Sequence, residues 1–354
     1  MAGYRRALDA QAAPALRDLS RSYDTIIRAT EQKARALATQ IEAMRTAGQI
    51  DQVTLGQLYR MERYLLLATD LRMTTDRYAL DVAAPRIADL QSDSAWLAQE
   101  HASRVERVVL GRDRALEFQQ RFVMIPKGAI ENLTGVMRDG GQLRTYLSRT
   151  LPDATVTRVG EALVEGLGAG LNPREVGRIA AKASGVGLQR ATLIARTEML
   201  RAYRESQRER WHSSGIVTMY RRTAAMSERT CLGCIAMDGT IWQSQEELED
   251  HPAGRCTMVP VFVVDGEVIA PPMESAQSWL AEQPESVQVG TMGPTRWAAW
   301  KRGDVEISQM AQYRPNQRWG GAWVPRNVGD IVEGGRGGDL AARIHERTVD
   351  QMIA

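Results

Sequence analysis

The sequence predicts a mainly α-helical protein that carries a small α+β module. Three observations support this fold class. Apolar residues recur every three or four positions from Leu16 to Met44, which is the period of a long amphipathic helix. After Gly215 the sequence changes to β-branched and aromatic segments that are typical of strands in a short antiparallel sheet. The three cysteines of the chain all lie between Cys231 and Cys256, so the module also contains a candidate zinc knuckle.

The composition is that of an ordinary globular protein. The 354 residues are 44% hydrophobic and 25% charged, which excludes disordered and collagen-like classes. At roughly 100–200 residues per domain, the length predicts two or three domains. The 45 basic and 43 acidic residues give a net charge of +2, so no strong general affinity for nucleic acid is expected. No signal segment is visible in residues 1–19, and no apolar run approaches the roughly 18 residues that span a bilayer. We therefore expect a protein that is made and kept in the cytoplasm, or assembled from there, with no membrane partner.

Long helices are predicted for the N-terminal third of the chain. The first runs from about residue 14 to residue 47. A second begins near Val53 and is interrupted at Pro85, because proline lacks the N–H that a helix interior needs. A third runs from about residue 92 to residue 122. The region 1–125 is therefore expected to form either a helical bundle closed on its own core or an extended arm that binds a partner.

Short helices separated by glycines are predicted from residue 127 to residue 189. Within this region Asn172 and Pro173 supply a capping side chain and a proline for the first helical position. A helix is therefore expected to start there and to run to about Ala183. A further helix is expected from about residue 188 to residue 213.

A small antiparallel sheet is predicted after these helices, from three apolar segments at 216–220, 239–242 and 258–264. Residues 275–310 are expected to be helical again, with a break at Gly293-Pro294. The glycine-rich segment 333–338 is expected to form a loop before a short amphipathic end.

The strongest chemical pattern is Cys231-Leu-Gly-Cys234 followed by His251 and Cys256. Two thiols separated by two residues can grip one face of a tetrahedral zinc ion, and a second pair of ligands closes the site. Cys231, Cys234, His251 and Cys256 are therefore the candidate metal ligands, and a closed set of four leaves no open position for catalysis. One alternative is three reduced cysteines with packing roles. A catalytic thiol is disfavoured, because no second histidine lies close in sequence to act as its base.

Several motifs follow a particular order along the chain. They are Arg196-Thr197-Glu198 on a helix, a strand near Tyr220, the cysteine pair, Asp238-Gly239, His251-Pro252, Arg255-Cys256, Trp279-Leu280-x-x-Gln283, Gly293-x-x-Arg296 and Gly303. In this order they resemble the head-morphogenesis domain of tailed phages, the family named for protein F of phage Mu. The resemblance covers about residues 156–303. It departs at Gly254, where relatives often carry a cysteine, so His251 is the one obvious fourth ligand.

The resemblance implies a minor head protein of a tailed phage or prophage. Such proteins associate with the portal at one vertex and act in head assembly, DNA packaging or ejection. The implied partner is the phage portal protein, with the major capsid or scaffold protein as further candidates. The implied location is the head interior of the virion, at the portal vertex, after assembly in the host cytoplasm. The same resemblance and the changes in sequence texture give three predicted domains, which are an N-terminal helical bundle or arm at 1–125, the Mu F-like domain at 126–270, and a C-terminal helical segment with a glycine-rich tail at 271–354.

Two other function classes, an enzyme and a DNA-binding protein, compete with this one. A zinc-knuckle nuclease or other DNA-processing enzyme is the alternative, but the four histidines are scattered and no nucleophile with a base is visible. We therefore expect no enzymatic activity. The arginines Arg201, Arg204 and Arg208 lie at helical spacing with glutamate partners, which favours a solvated, salt-bridged face over a DNA track. Any DNA contact is expected to be weak and nonspecific.

Overall fold

The structure, a computed structural model, describes residues 2–50, 55–121, 130, 132–215, 217–264, 266–316, 319–332, 339–347 and 351–352. It confirms a mainly helical protein with a small antiparallel sheet. The chain divides into two compact units, the first made of Met1–Leu90 with Thr134–Glu198 and the second of Gln91–Leu133 with Met199–Ala354. The boundaries predicted at 125 and 270 stay a prediction.

The described helices and strands follow one another in this order. The helical part contains α1 Ala2–Thr46, α2 Leu55–Leu58, α3 Glu62–Tyr78, a π-helical turn Ala79–Ala83, α4 Ala84–Leu110, α5 Arg112–Arg121, α6 Leu143–Gly168, α7 Pro173–Ser184 and α8 Val186–Ser213. The mixed part contains β1 Val217–Thr223, α9 Leu232–Ala236, β2 Ile241–Gln243, β3 Thr257–Val264, β4 Glu267–Ile269, α10 Ala276–Ala281, α11 Glu285–Met292, α12 Pro294–Arg302, a 3-10 turn Ile307–Met310, β5 Ala311–Arg314, β6 Ala322–Pro325, α13 Val328–Val332 and α14 Asp339–His345.

The apolar seam of α1 closes a bundle inside the first unit. Its central residues Leu19, Tyr23, Leu37 and Ile41 are buried, and α1 packs against α3 and α7. The Tyr23 hydroxyl donates a hydrogen bond to the carbonyl of Ser184, 2.9 Å away. Of the two arrangements predicted for the N-terminal region, the structure therefore shows the seam used within the bundle.

Proline does not stop the N-terminal helices where the sequence predicted. The helix expected to begin at Pro14 begins at Ala2, because Leu8 and Ala12 extend the buried seam and their packing outweighs the proline. The break expected at Pro85 is replaced by the π-helical turn, in which the N–H of Ala84 bonds to the carbonyl of Ala79. This wider turn shifts the hydrogen bonds immediately before the residue that has no N–H to donate.

The long helix α6 contradicts the short helices predicted for residues 127–189. It runs for 26 residues through Pro152 and Gly160, and buried leucines such as Leu147 and Leu163 hold it in the unit. The helix continues through Gly160. A Cβ at this position would lie only 2.9 Å from the Tyr64 hydroxyl, so the glycine allows close packing and does not mark a helix end. The predictions for α7 and α8 are confirmed, with Asn172 as the cap of α7. The single helix predicted for 92–122 is divided at Gly111, whose positive φ of 78° ends α4.

The second unit is built around a four-stranded antiparallel sheet with strand order β2-β1-β3-β4. The three predicted strands correspond to β1, β2 and β3, whereas β4 and the two-stranded sheet of β5 and β6 were not predicted. The core of this unit contains Trp211, Phe262, Leu280, Trp323 and Ile344, so the C-terminal helices share the core of the sheet. The starts and ends predicted at 53, 122 and 216 and the loop at 333–338 lie outside the described residues. Among the described helices, none is long and apolar enough to cross a membrane.

Candidate metal centre

The first two predicted ligands lie at the start of a short helix. Cys231 is the N-cap of α9, and its sulfur accepts a hydrogen bond from the backbone N–H of Cys234 at 3.4 Å. A thiol at this position gains from the N–H groups at the first turn of a helix, which favour a negatively charged sulfur. Gly233 between them has no room for a side chain, since an added Cβ would collide with the backbone carbonyl of Trp323 in β6. The segment Cys231–Cys234, here called the knuckle, therefore packs directly on the two-stranded sheet of β5 and β6.

The other two predicted ligands lie on the loop that leads into β3. The loop turns at Ala253, whose φ of 56° is left-handed, and the N–H of Gly254 donates to the carbonyl of His251 at 2.8 Å. This tight turn brings the side chains of His251 and Cys256 back to the knuckle.

All four predicted side chains converge. The Nε2 atom of His251 lies 3.3 Å from the sulfur of Cys231. The ligand atoms of Cys231, Cys234 and His251 lie within 4.8 Å of one another, and the same holds for those of Cys234, Asp250 and Cys256. The three cysteines are free thiols, with Cys234 and Cys256 buried. Cys234 belongs to both sets, so the four predicted ligands lie in one cluster and are close enough together to hold a metal ion.

The hydrogen bond of His251 orients its ring for metal binding. Its Nδ1 lies 3.0 Å from the carbonyl oxygen of Pro252, and since a carbonyl only accepts, Nδ1 carries the proton of the neutral ring. The lone pair of a neutral His251 is therefore on Nε2, which faces Cys231. In metal-binding histidines the ring nitrogen that does not bind the metal commonly donates its proton to a backbone carbonyl, as Nδ1 does here.

Asp250 is the residue of this site that the sequence did not reveal. Its side chain is 1% exposed, and it lies within salt-bridge distance of two arginines, with Arg204 at 2.9 Å and Arg222 at 3.5 Å. Burial alone would raise the pKa of Asp250, but Arg204 and Arg222 lower it below its ordinary value. The carboxylate is therefore charged at neutral pH, inside the protein, next to the candidate ligands.

The three thiols differ in acidity because they hydrogen-bond to one another. The hydrogen bond between Cys231 and Cys234 lowers the pKa of Cys231 and raises that of Cys234. The hydrogen bond with Cys234, together with burial, raises the pKa of Cys256. Cys231, the most exposed of the three, is therefore the thiol that ionises first.

Two arginines of the series on α8, Arg204 and Arg208, are paired inside the second unit, which corrects the solvated face predicted for them. Arg204 is 8% exposed and bound to Asp250, and Arg208 is 17% exposed and bound to Glu205. The predicted salt bridging is correct for Arg208, but Arg204 and Arg208 are both largely buried and do not form a solvated face. Arg196 is exposed and Glu198 is buried, so these two residues point to different sides of α8, as predicted.

The arrangement can hold a closed metal site of three sulfurs and one nitrogen. This donor set suits zinc, which accepts thiolate and imidazole ligands in tetrahedral geometry. With four protein ligands, such an ion has no open position for a substrate. The geometry therefore fits a structural metal centre that ties the knuckle, the 250–256 loop and β3 together.

One family model matches the part of the chain that carries most of these motifs. Residues 157–259 match the model of the family described as Phage Mu protein F like protein. No curated protein and no solved structure matches the chain. The matched segment contains α7, α8, β1, β2 and all four predicted ligands. Residues 157–259 are therefore similar to phage Mu protein F-like proteins, consistent with the phage head morphogenesis family that the motifs of the chain resemble.

Proposed function

We propose that this chain is a minor head protein of a tailed phage or prophage, located in the virion at the portal vertex, where it acts in head assembly, DNA packaging or ejection. The observation that carries the proposal is the Mu F-like segment at 157–259. The proposed partner is the portal protein, with the major capsid or scaffold protein as further partners.

The surface proposed for portal binding is the outer side of α3. The seam of α1 is already buried in the bundle, so a partner has to use other apolar side chains. In the first unit, Leu65, Leu66 and Met73 of α3 are 50%, 62% and 59% exposed. Apolar side chains exposed together favour a protein–protein contact, and a few such residues usually dominate its affinity.

Co-expression with the portal protein of the same genome tests this proposal. The full chain is needed, because a truncation at residue 127 would remove α1 and α3 and leave α6 and α7 without the helices they pack on. We expect portal and chain to elute together in size-exclusion chromatography. The double variant Leu66→Ser/Met73→Ser should weaken the complex at least about tenfold.

The matched control is Val108→Ser, which changes an 82% exposed side chain in the second unit and should leave portal binding intact. Equal binding by the α3 variant and the wild type would remove α3 as the docking surface. Absence of the chain from purified heads, measured by mass spectrometry, would overturn the head proposal itself.

We also propose that the candidate metal centre binds one structural zinc ion through Cys231, Cys234, His251 and Cys256. Zinc would supply cross-linking of the two loops and no chemical step. Metal analysis of the purified protein should give one zinc ion per chain, lost in Cys234→Ser and retained in His212→Ala, a change at an exposed histidine of the same unit. Wild-type protein that takes up no zinc would refute this site.

The protein is further proposed to act without catalytic turnover. In the proposed zinc site the lone pair of His251 Nε2 would bind the metal, and Nδ1 donates to the carbonyl of Pro252, so neither ring nitrogen would be free to act as a base. Purified protein should not cut DNA in magnesium or manganese. Cleavage that disappears in His251→Ala would favour the nuclease alternative instead.

Any contact with DNA is proposed to be weak and nonspecific. Arg204, Arg208 and Arg210 bind Asp250, Glu205 and Glu106, so these three guanidinium groups already have partners inside the second unit. Binding measured at several salt concentrations should show a shallow slope, because few phosphates are neutralised. A steep slope would indicate a true DNA-binding surface.

A further inference from the structure

The Asp250 carboxylate contacts the backbone or side chain of three of the four candidate ligands. Its Oδ1 accepts from the backbone N–H of His251 at 3.0 Å and from the thiol of Cys234 at 3.4 Å. Its Oδ2 accepts from the backbone N–H of Cys256 at 3.2 Å. One buried side chain therefore fixes the knuckle, the start of the 250–256 loop and its end.

Two arginines also contact the oxygens of this carboxylate. Arg204 reaches Oδ2 at 2.9 Å and also donates to the carbonyl of Cys256 at 2.8 Å. Arg222 lies 3.5 Å from Oδ1 and 3.9 Å from the sulfur of Cys234. A metal ion bound to Asp250 would face these guanidinium groups at close range, and like charges in a buried site repel strongly. Arg204 and Arg222 already compensate the charge of Asp250, which favours Cys231, Cys234, His251 and Cys256 over a ligand set that includes Asp250.

The carboxylate also requires a residue without a side chain at position 254. A Cβ added to Gly254 would collide with the carboxyl group of Asp250, and all three of the nearest atoms belong to that group. A side chain at 254 would therefore force the Asp250 carboxylate out of the position in which it makes these contacts. His251, which the same loop presents toward Cys231, is left as the fourth ligand.

The charges of Arg204, Arg222 and Asp250 complement those of a zinc centre. Zinc with three thiolates and a neutral imidazole carries a net charge of −1, whereas Arg204, Arg222 and Asp250 together carry +1. When Cys234 is a thiolate, Arg222 lies next to both negative groups, the sulfur and the carboxylate, and keeps them compatible. A buried metal centre needs such compensation, because uncompensated buried charge is costly.

We propose that Asp250 is a positioning residue of the metal centre, which holds the ligand loops through Arg204, Arg222 and backbone N–H groups and which depends on Gly254 for its space. This inference rests on the zinc site proposed above. Partners of this kind, one step removed from the metal, typically change metal affinity by about 10- to 100-fold when they are replaced.

Competition for zinc between the protein and a chelating dye tests the proposal. Asp250→Asn should bind zinc about 10- to 100-fold more weakly than the wild type. Asp304→Asn makes the same chemical change at an exposed ion pair of the same unit and should bind zinc like the wild type. Cobalt supplies the second readout. The thiolate-to-cobalt absorption bands of Asp250→Asn should keep the wild-type positions. His251→Ala should shift them, because His251 is a ligand of the proposed site and Asp250 is not.

Gly254→Ala keeps every ligand and every charge, so it tests the same point if Asp250→Asn does not fold. It should weaken zinc binding in the wild-type background, and it should add no further loss to Asp250→Ala, because the group it collides with is then absent. Unchanged zinc affinity in Asp250→Asn or in Gly254→Ala would overturn the proposal while leaving the zinc site in place. Cobalt bands altered in Asp250→Asn as in His251→Ala would overturn it by making Asp250 a ligand. Wild-type protein that binds neither metal would remove the zinc site and this proposal together.

Discussion

Replacing Glu106 by glutamine should destabilise the second unit by about 3 kcal/mol. Glu106 on α4 accepts two hydrogen bonds from Arg210 on α8, one from Nε to Oε1 at 2.7 Å and one from Nη2 to Oε2 at 2.8 Å. The Glu106 side chain is fully buried and that of Arg210 is 13% exposed. Glutamine keeps only one acceptor oxygen and leaves the guanidinium without a counter-charge. Breaking one side of a buried pair costs about 3–5 kcal/mol. The lower end applies here, because Arg210 also bonds to Gln99 and retains some exposure to water.

Tryptophan fluorescence can measure this change without interference from the first unit. All eight tryptophans lie within residues 91–133 and 199–354, which form the second unit. A loss of about 3 kcal/mol should lower its melting temperature by about 6–12 °C for a unit of this size. Circular dichroism, which follows both units, should show a separate and unchanged transition for the first one.

The exposed pair of Glu100 with Arg104 on the same helix is the matched control. Its side chains are 57% and 61% exposed, so Glu100→Gln should cost no more than about 0.5 kcal/mol. Equal losses for Glu106→Gln and Glu100→Gln would refute the reasoning, because burial would then have no influence on the strength of the pair.

Three further changes test other parts of the fold. Gly233→Ala should destabilise the second unit by about 1–3 kcal/mol, because the new methyl group collides with the backbone of β6. Gly290→Ala, which has open space around it on α11, should be neutral or slightly stabilising, and equal effects of the two would contradict this explanation. Burial, followed by the charge of Arg104, lowers the pKa of His101 below 6.5, so the unfolded chain binds its proton more readily. The stability contributed by His101 is therefore present above pH 6.5 and is lost as the pH falls below that value, so His101→Gln should lose less melting temperature between pH 7.5 and pH 5.5 than the wild type. Asn172→Ala removes the hydrogen bond that caps α7 and should destabilise the first unit by about 1 kcal/mol in urea unfolding followed by circular dichroism, whereas an unchanged midpoint would mean that the cap contributes nothing.

Features that depend on local sequence were predictable. The Asn172-Pro173 cap acts within one turn of α7, and the Cys231 and Cys234 thiols share one short helix, so neighbouring residues determine both. The strand β3 was also predictable, because a continuous apolar segment that includes Phe262 can only be buried.

Features that depend on distant residues were not predictable. Asp250 acquires its role from Arg204, 46 positions earlier, and no local pattern distinguishes it from other acidic residues. The same holds for Gly254, whose importance depends on where the Asp250 carboxylate lies. Pro14 and Gly160 show the reverse effect, since tertiary packing keeps helices continuous through residues that favour a break.

The candidate metal centre depends on residues well beyond the Mu F-like segment, which ends at residue 259. The knuckle helix α9 packs on the backbone of Trp323 through Gly233, and α10 is held to the chain before α9 because the Asp238 carboxylate accepts from the N–H groups of Ala224 and Ala276. The core that surrounds Cys234 and Cys256 includes Ile344 as well. A chain that ended at residue 259 would expose this apolar surface and lose the wall against which the ligands are ordered. The stable form of the site is therefore the whole second unit, and the C-terminal segment acts as part of the scaffold that holds the four candidate ligands together.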